Sequence, residues 1–162
     1  MSKLTFLYLT FVALMLITTG CATSQSSAER VAETQKAVAE ALANRHIRIN
    51  VHSMHPARYS SRMVSYGFYL ELKGDTLESC LPYMGQVYQA APISQEGLNF
   101  EARIIGYQET RAKKNMTRIE LDVRTKEDLF HYLIEINDSG SAFIRVRGQN
   151  RDSISFDGDV EM

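Results

Sequence analysis

Leu129–Val146 read LFHYLIEINDSGSAFIRV, and this stretch decides the fold. Phe130, Tyr132, Ile134 and Ile136 alternate with His131, Glu135 and Asn137, the period of two that marks a strand with one buried face. Asn137-Asp138-Ser139-Gly140-Ser141 then supplies a short hairpin loop with Gly140 at the left-handed position, a type I turn followed by a bulge. That turn sets Ile136 opposite Ala142, Ile134 opposite Ile144 and Tyr132 opposite Val146, so both apolar rows share one face.

The same bookkeeping extends in both directions. A loop at 125–128 aligns Val123 with Phe130, Leu121 with Tyr132 and Ile119 with Ile134. A loop at 149–151 aligns Val146 with Ile154 and Ile144 with Phe156, which joins four strands through one apolar face. Upstream, Ile47, Ile49 and Val51 alternate with polar neighbours, as do Val64, Tyr66, Phe68, Leu70 and Leu72. Gly74-Asp75 makes a two-residue hairpin that pairs Leu72 with Leu77 and Phe68 with Leu81. Alternation over 99–108 completes the set, and the turn at Arg111–Asn115 admits either Gly106 or Ile105 opposite Leu121. The expectation is a mainly β domain of about eight antiparallel strands in a meander, barrel-like or sandwiched. One helix precedes it: Ser26-Ser27-Ala28-Glu29 reads as a capping box. An Ala-, Glu- and Lys-rich run follows to about Arg45, with Val31, Val38 and Leu42 on one face.

The beginning of the chain differs from the rest. Met1-Ser2-Lys3 is a basic start, Leu4 to Ile17 is almost wholly apolar, and Thr18-Thr19-Gly20-Cys21 follows. The apolar run falls short of the ~20 residues that a spanning helix needs and has the layout of a secretory signal peptide. Gly20-Cys21 resembles the lipobox of bacterial lipoproteins, with Thr18 where that pattern prefers Leu. The resemblance implies a signal peptide at 1–20, a lipidated linker at 21–26 and one domain at 27–162. It also implies attachment of a diacylglyceryl group to the Cys21 sulfur. Palmitate-type acyl chains there would hold the protein on the membrane, since several chains anchor stably where one is marginal. Ala22 in place of Asp points to the outer membrane, with the domain facing the periplasm.

The whole chain has 162 residues, 44% hydrophobic, at a formal net charge of −1. Loss of residues 1–20 removes Lys3 and no acid, so the net charge becomes −2. This size suits one domain, and the charge lacks the basic footprint of a nucleic-acid binder. Cys80 is left as a lone thiol if Cys21 is acylated.

Gly74-Asp75-Thr76-Leu77 with Leu81-Pro82-Tyr83, then Gly97-Leu98-Asn99-Phe100, and finally Asn150-Arg151-Asp152-Ser153-Ile154-Ser155-Phe156, resemble the domain of unknown function 4251 family. Its members are similar in having a lipoprotein-type start, an Ala-rich helix and a Lys-Gly-Asp-Thr-Leu hairpin. Cys80 stands where the family pattern has an aromatic residue. The resemblance brings no activity, cofactor or catalytic residue with it.

Four polar groupings merit weighing. His52 and His55 are close enough to share an ion, but two ligands are too few, and His46 lies ~20 Å from His52 along the strand. Asp122 falls opposite His131, with Arg147 on its far side, which reads as a cross-strand charge pair. Glu71 and Glu78 face each other across the Gly74-Asp75 hairpin. Arg111, Lys113, Lys114 and Arg118 make a basic tip that protects a turn from aggregation or meets anionic lipid headgroups or a partner's acidic patch. No grouping assigns a catalytic residue, a metal or a cofactor. Pro82 to Glu96 is the one long irregular stretch, and its Tyr83, Met84 and Tyr88 are the contact residues expected of a partner or ligand surface. The expected function is therefore non-catalytic binding of an envelope protein partner. The alternatives are a small apolar ligand carried inside a barrel and, behind it, a hydrolytic enzyme.

Overall fold

The computed structural model describes residues 23–88, 98–113 and 115–162, with side chains from Glu29 onward. The described residues fall into two units, Thr23–Glu33 and Thr34–Met162. Cys21 and the signal-peptide residues lie outside the described residues, as do Lys114 and most of the stretch after Tyr88.

Helix α1 spans Thr23–Ala43, so it starts ahead of the expected cap at Ser26. Nothing from Thr23 to Ser27 breaks a helix, and each Ser there costs it only some tenths of a kcal/mol. The helix ends where Arg45 turns to φ 49°, the left-handed stop of a helix C-terminus. Val38 is buried, with Ala41 and Leu42 packed on the same core, and Val31 is exposed.

The strands are β1 (His46–Pro56), β2 (Arg62–Met63), β3 (Tyr69–Lys73), β4 (Thr76–Leu81) and β5 (Leu98–Lys113). They continue as β6 (Met116–Arg124), β7 (Leu129–Asn137), β8 (Ser141–Gly148) and β9 (Ile154–Val160). Each pairs antiparallel with the next from β3 to β9, and β1 pairs with both β3 and β9. The result is a closed eight-stranded antiparallel barrel, with β2 as one short extra strand on β1. Closure removes most of the sheet edge, and eight strands leave an interior that side chains can fill.

Every register derived around the opening stretch is present, including Ile134 opposite Ile144, Leu121 opposite Tyr132 and Ile144 opposite Phe156. Two regions depart from expectation. The run from Val64 to Leu72 is not one strand: a turn at Tyr66-Gly67 interrupts it and leaves Tyr66 fully exposed. At the long hairpin, Tyr107 faces Leu121 and Gly106 faces Asp122, because β5 bulges between Ile104 and Gly106. A bulge adds one residue to one strand, which alternation alone does not locate.

The barrel closes between β1 and β9, where a second bulge lies between Val51 and Ser53. Gly158 sits at this seam, and a Cβ there would meet the Asn50 carbonyl oxygen at 2.4 Å. The interior is filled by Phe130, Tyr132 and Phe156 among Leu, Ile and Val side chains. The internal gap lined by Ile47, Ile49, Leu70, Leu72, Ile119, Ile134 and Ile136 measures about 10 Å3.

Candidate functional site

The two ends of the barrel are built differently. At the end where β1 begins, the second half of α1 lies over the opening, and Arg45 O accepts the Gly74 N–H at 2.8 Å from the β3–β4 hairpin. At the opposite end, the β6–β7 turn, the β8–β9 loop and residues 82–88 converge.

Asp128, in the β6–β7 turn, has a fully buried side chain that accepts N–H bonds from Leu129, Gln149 and Asn150. Its Oδ2 also accepts Arg151 Nε at 3.1 Å, and Arg151 is itself only 6% exposed in its side chain. The Arg151 guanidinium lies 4.9 Å from the Phe130 ring centre and 5.3 Å from that of Tyr83. Glu127 Oε2 lies 3.5 Å from it. A buried cation is thus paired, bonded and set on aromatic faces, the conditions under which burying it is tolerable.

Next to it, Asp152 accepts the Gln86 N–H at 3.0 Å, Arg58 Nε at 2.9 Å and the Tyr88 hydroxyl. The Tyr88 hydroxyl, then the Gln86 amide and then Arg58 hold the Asp152 carboxyl below the usual carboxylate range. Tyr83 O–H approaches the carbonyl oxygens of Gln86 and Asp152, each at 3.1 Å, and burial pushes its phenol up. Deeper in, Tyr132 donates to Ser79 Oγ at 3.2 Å, and Ser79 donates to Leu98 O at 2.6 Å. Burial raises the Tyr132 phenol, so this chain stays neutral.

The three expected contact residues therefore have distinct surroundings. Tyr83 and Met84 pack on the core and help to close this end, while Tyr88 is exposed with its hydroxyl on Asp152 and 3.3 Å from Arg58. Asp128 and Arg151 were missed as a site because they are 23 residues apart and look like ordinary turn residues. The one signal was Asn150-Arg151-Asp152, which carried the family resemblance.

Beside this network lies a groove of about 590 Å3, lined by Asn99–Arg103, Arg124–Glu127 and Phe130. It opens because β5 pairs with β4 along Leu98–Arg103 but meets β6 only from Ile104 onward. Phe100 stacks on Phe130 at 5.1 Å and forms its apolar floor.

The polar groupings weighed on sequence settle as follows. His55 bridges Asp157 Oδ2 and Ser61 Oγ, both at 2.7 Å, while His52 and His46 approach Asp159 and Glu71 separately. With the proton on Nε2, the ring donates to Asp157 and accepts from Ser61. That order suits a relay for a nucleophile, but His55 and Asp157 are 34% and 44% exposed, so water competes with every contact. Its visible effect is to tie the turn after β1 to β9. Among the described residues, no three His, Cys, Asp or Glu side chains are grouped to hold a metal ion. Glu71 and Glu78 do face each other, with Lys73 Nζ at 3.3 and 2.8 Å from them. Lys73 first, then Tyr69, hold Glu78 below the usual range. Asp122 and His131 pair at 2.8 Å as expected. The basic tip is dispersed, since Arg111 bonds Asp138 and Arg118 bonds Glu135.

Comparison with known proteins follows from this geometry. The family described as "Domain of unknown function (DUF4251)" matches residues 29–160. A crystal structure of a DUF4251 family protein from Bacteroides eggerthii DSM 20697 is similar in fold at a TM-score of 0.60 and 7% identity. The match covers 78% of this chain and 86% of that one. No curated protein matches the chain.

Proposed function

The chain belongs to the domain of unknown function 4251 family, and from that premise we propose that it is a lipid-anchored, non-catalytic binding module of the cell envelope. Acyl chains on Cys21 tether it to the outer membrane on the periplasmic side, and the barrel engages a protein partner through the end that holds the groove. The observation that carries this reading is the contrast between a filled interior and an open exterior. The gap among Ile47, Ile49, Leu70 and Ile134 is about 10 Å3, against about 590 Å3 in the groove beside Phe100. A carried apolar ligand needs a pocket of several hundred Å3, so the contrast favours the groove over the barrel-interior alternative.

A photo-crosslinking residue at Arg124, with a control at Glu109 by the other end, tests the reading in intact cells. A discrete protein adduct from position 124 alone is the expected result. Equal labelling from both positions, or none, would remove the support. Cys21→Ala tests the anchor separately: the precursor should remain unprocessed and lose its acylated form, and ordinary acylation of that variant would overturn the tether.

A further inference from the structure

The groove wall contributed by β5 is a strand edge without a neighbour among the described residues. Ile104 donates its backbone N–H to Asp75 O at 2.8 Å, on the β4 side. Since backbone groups alternate between the two sides of a strand, Leu98, Phe100 and Ala102 also face β4. Asn99, Glu101 and Arg103 therefore aim their N–H and C=O groups away from it. Ile104 pairs with Val123 while its own N–H bonds Asp75, so the β6 ladder begins at Arg103, and among the described residues nothing pairs with Asn99 or Glu101 on that side. The open edge, Leu98–Ala102, is about 16 Å long at ~3.3 Å per residue. Such an edge is a template for another extended chain, in which main-chain bonds supply affinity and alternate side chains supply selectivity.

The surroundings narrow the occupant. Phe100, Ala102 and Phe130 line the inner side, so one row of an added strand meets apolar surface. Arg103, Arg124 and Lys126 are exposed at the rim, and no ion pair engages them among the described residues. Glu127 is committed to Arg151, which leaves Glu101 as the one exposed acid of the lining. The rim is therefore net cationic although the chain as a whole is slightly acidic.

We propose that Leu98–Ala102 is a docking edge for an extended acidic segment of a partner protein. The segment adds a strand beside β5, turns alternate small or apolar side chains onto Phe100, and sets its carboxylates among Arg103, Arg124 and Lys126. The proposal rests on the partner-binding reading and specifies the chemistry of the partner. Because the rim charges are exposed, binding weakens as salt screens them.

The test uses the full-length protein in detergent and two capped hexapeptides, one of alternating Glu and Val and one of alternating Lys and Val. Amide hydrogen exchange at Asn99 and Glu101 should slow at least tenfold with the acidic peptide and remain unchanged with the basic one. Glu101→Pro removes an N–H that faces the groove and leaves the β4 ladder its partners; it should abolish the protection. The double variant Arg103→Glu/Lys126→Glu, which keeps every ladder bond, should weaken binding at least tenfold. Protection at other amides, or equal protection by both peptides, would overturn the proposal. In cells, adducts from a crosslinker at Met63 but not at Arg103, unaffected by Glu101→Pro, overturn the docking edge and leave a partner elsewhere. Adducts from neither position overturn the partner reading itself.

Discussion

One end of this barrel is covered by greasy contact and the other by directed bonds. At the first, Val38, Ala41 and Leu42 of α1 lie on the core, and the cover is an amphipathic face that would fit many apolar surfaces. At the second, Asp128, Arg151 and Asp152 hold the β6–β7 turn, the β8–β9 loop and residues 82–88 by named donors and acceptors. Apolar burial is non-directional and tolerates small shifts. A buried ion pair tolerates none, because a lost partner leaves a charge unpaired in a poor solvent for it. The geometry of the second end is therefore the more tightly specified, and the groove and its open strand edge lie next to it.

The largest expected effect breaks the directed end. Asp128→Ala would strip three backbone N–H groups and the buried Arg151 of their acceptor at once. Breaking a buried pair on one side costs roughly 3–5 kcal/mol, and chemical denaturation should report a loss in that range. At the helix end, Val38→Ala removes two methyl groups from a site that is 2% exposed. Its loss should be about 1–2 kcal/mol from transfer and cavity terms. If the two substitutions cost the same, the distinction between the ends fails.

That distinction also explains what could be read in advance. Ile134 opposite Ile144 was legible because the loop at Asn137–Ser141 admits few lengths and a slip of one residue would expose the whole apolar row. Glycine at that loop is required, since Gly140 takes φ 90°. The helix was legible from composition, although the burial of Val38 was not, because its sequence surroundings do not show the surface that meets it. The bulge before Gly106 was not legible, as an extra residue leaves apolar alternation intact on either side. The plug was hidden more thoroughly. Asp128 and Arg151 are polar residues in turns, where polar residues are ordinary, and only tertiary contact shows them buried together. Tyr83 and Met84 were singled out for their type, and their packing against the core is visible only from their surroundings.

Acid should separate the ends without any substitution. The Asp152 carboxyl lies below its usual range because the Tyr88 hydroxyl, the Gln86 amide and Arg58 favour its charged form. A carboxyl depressed in the native state binds its proton less tightly there than in the unfolded chain, which titrates near ~4. Its stabilising effect is therefore complete above ~4 and declines as pH falls through the lower native value. Protection factors at the Tyr88 and Asp152 amides, which bond Asn150 O and Gln86 O, should drop between pH 6 and 3. The Gly74 amide, bonded to Arg45 O at the helix end, should change less. A parallel decline at all three would mean that the barrel opens as one unit, and the directed end would have no separate acid response.

The smallest expected effect lies on the barrel wall, away from both ends. Asp122 and His131 sit opposite each other on β6 and β7 at 2.8 Å, with Arg147 across from His131 on β8. Their side chains are 47% and 33% exposed, so the pair gains little from a low dielectric and loses part of that gain to side-chain entropy. A double-mutant cycle of Asp122→Asn and His131→Ala should return a coupling of about 0.2–1 kcal/mol. The pair resembles the Asp128–Arg151 pair nearly in distance, and differs from it in access to water, in the number of donors on the carboxylate and in that an imidazole is cationic only when protonated. If the coupling on the wall approached the cost expected at the plug, neither burial nor the number of bonds to Asp128 would distinguish the directed end.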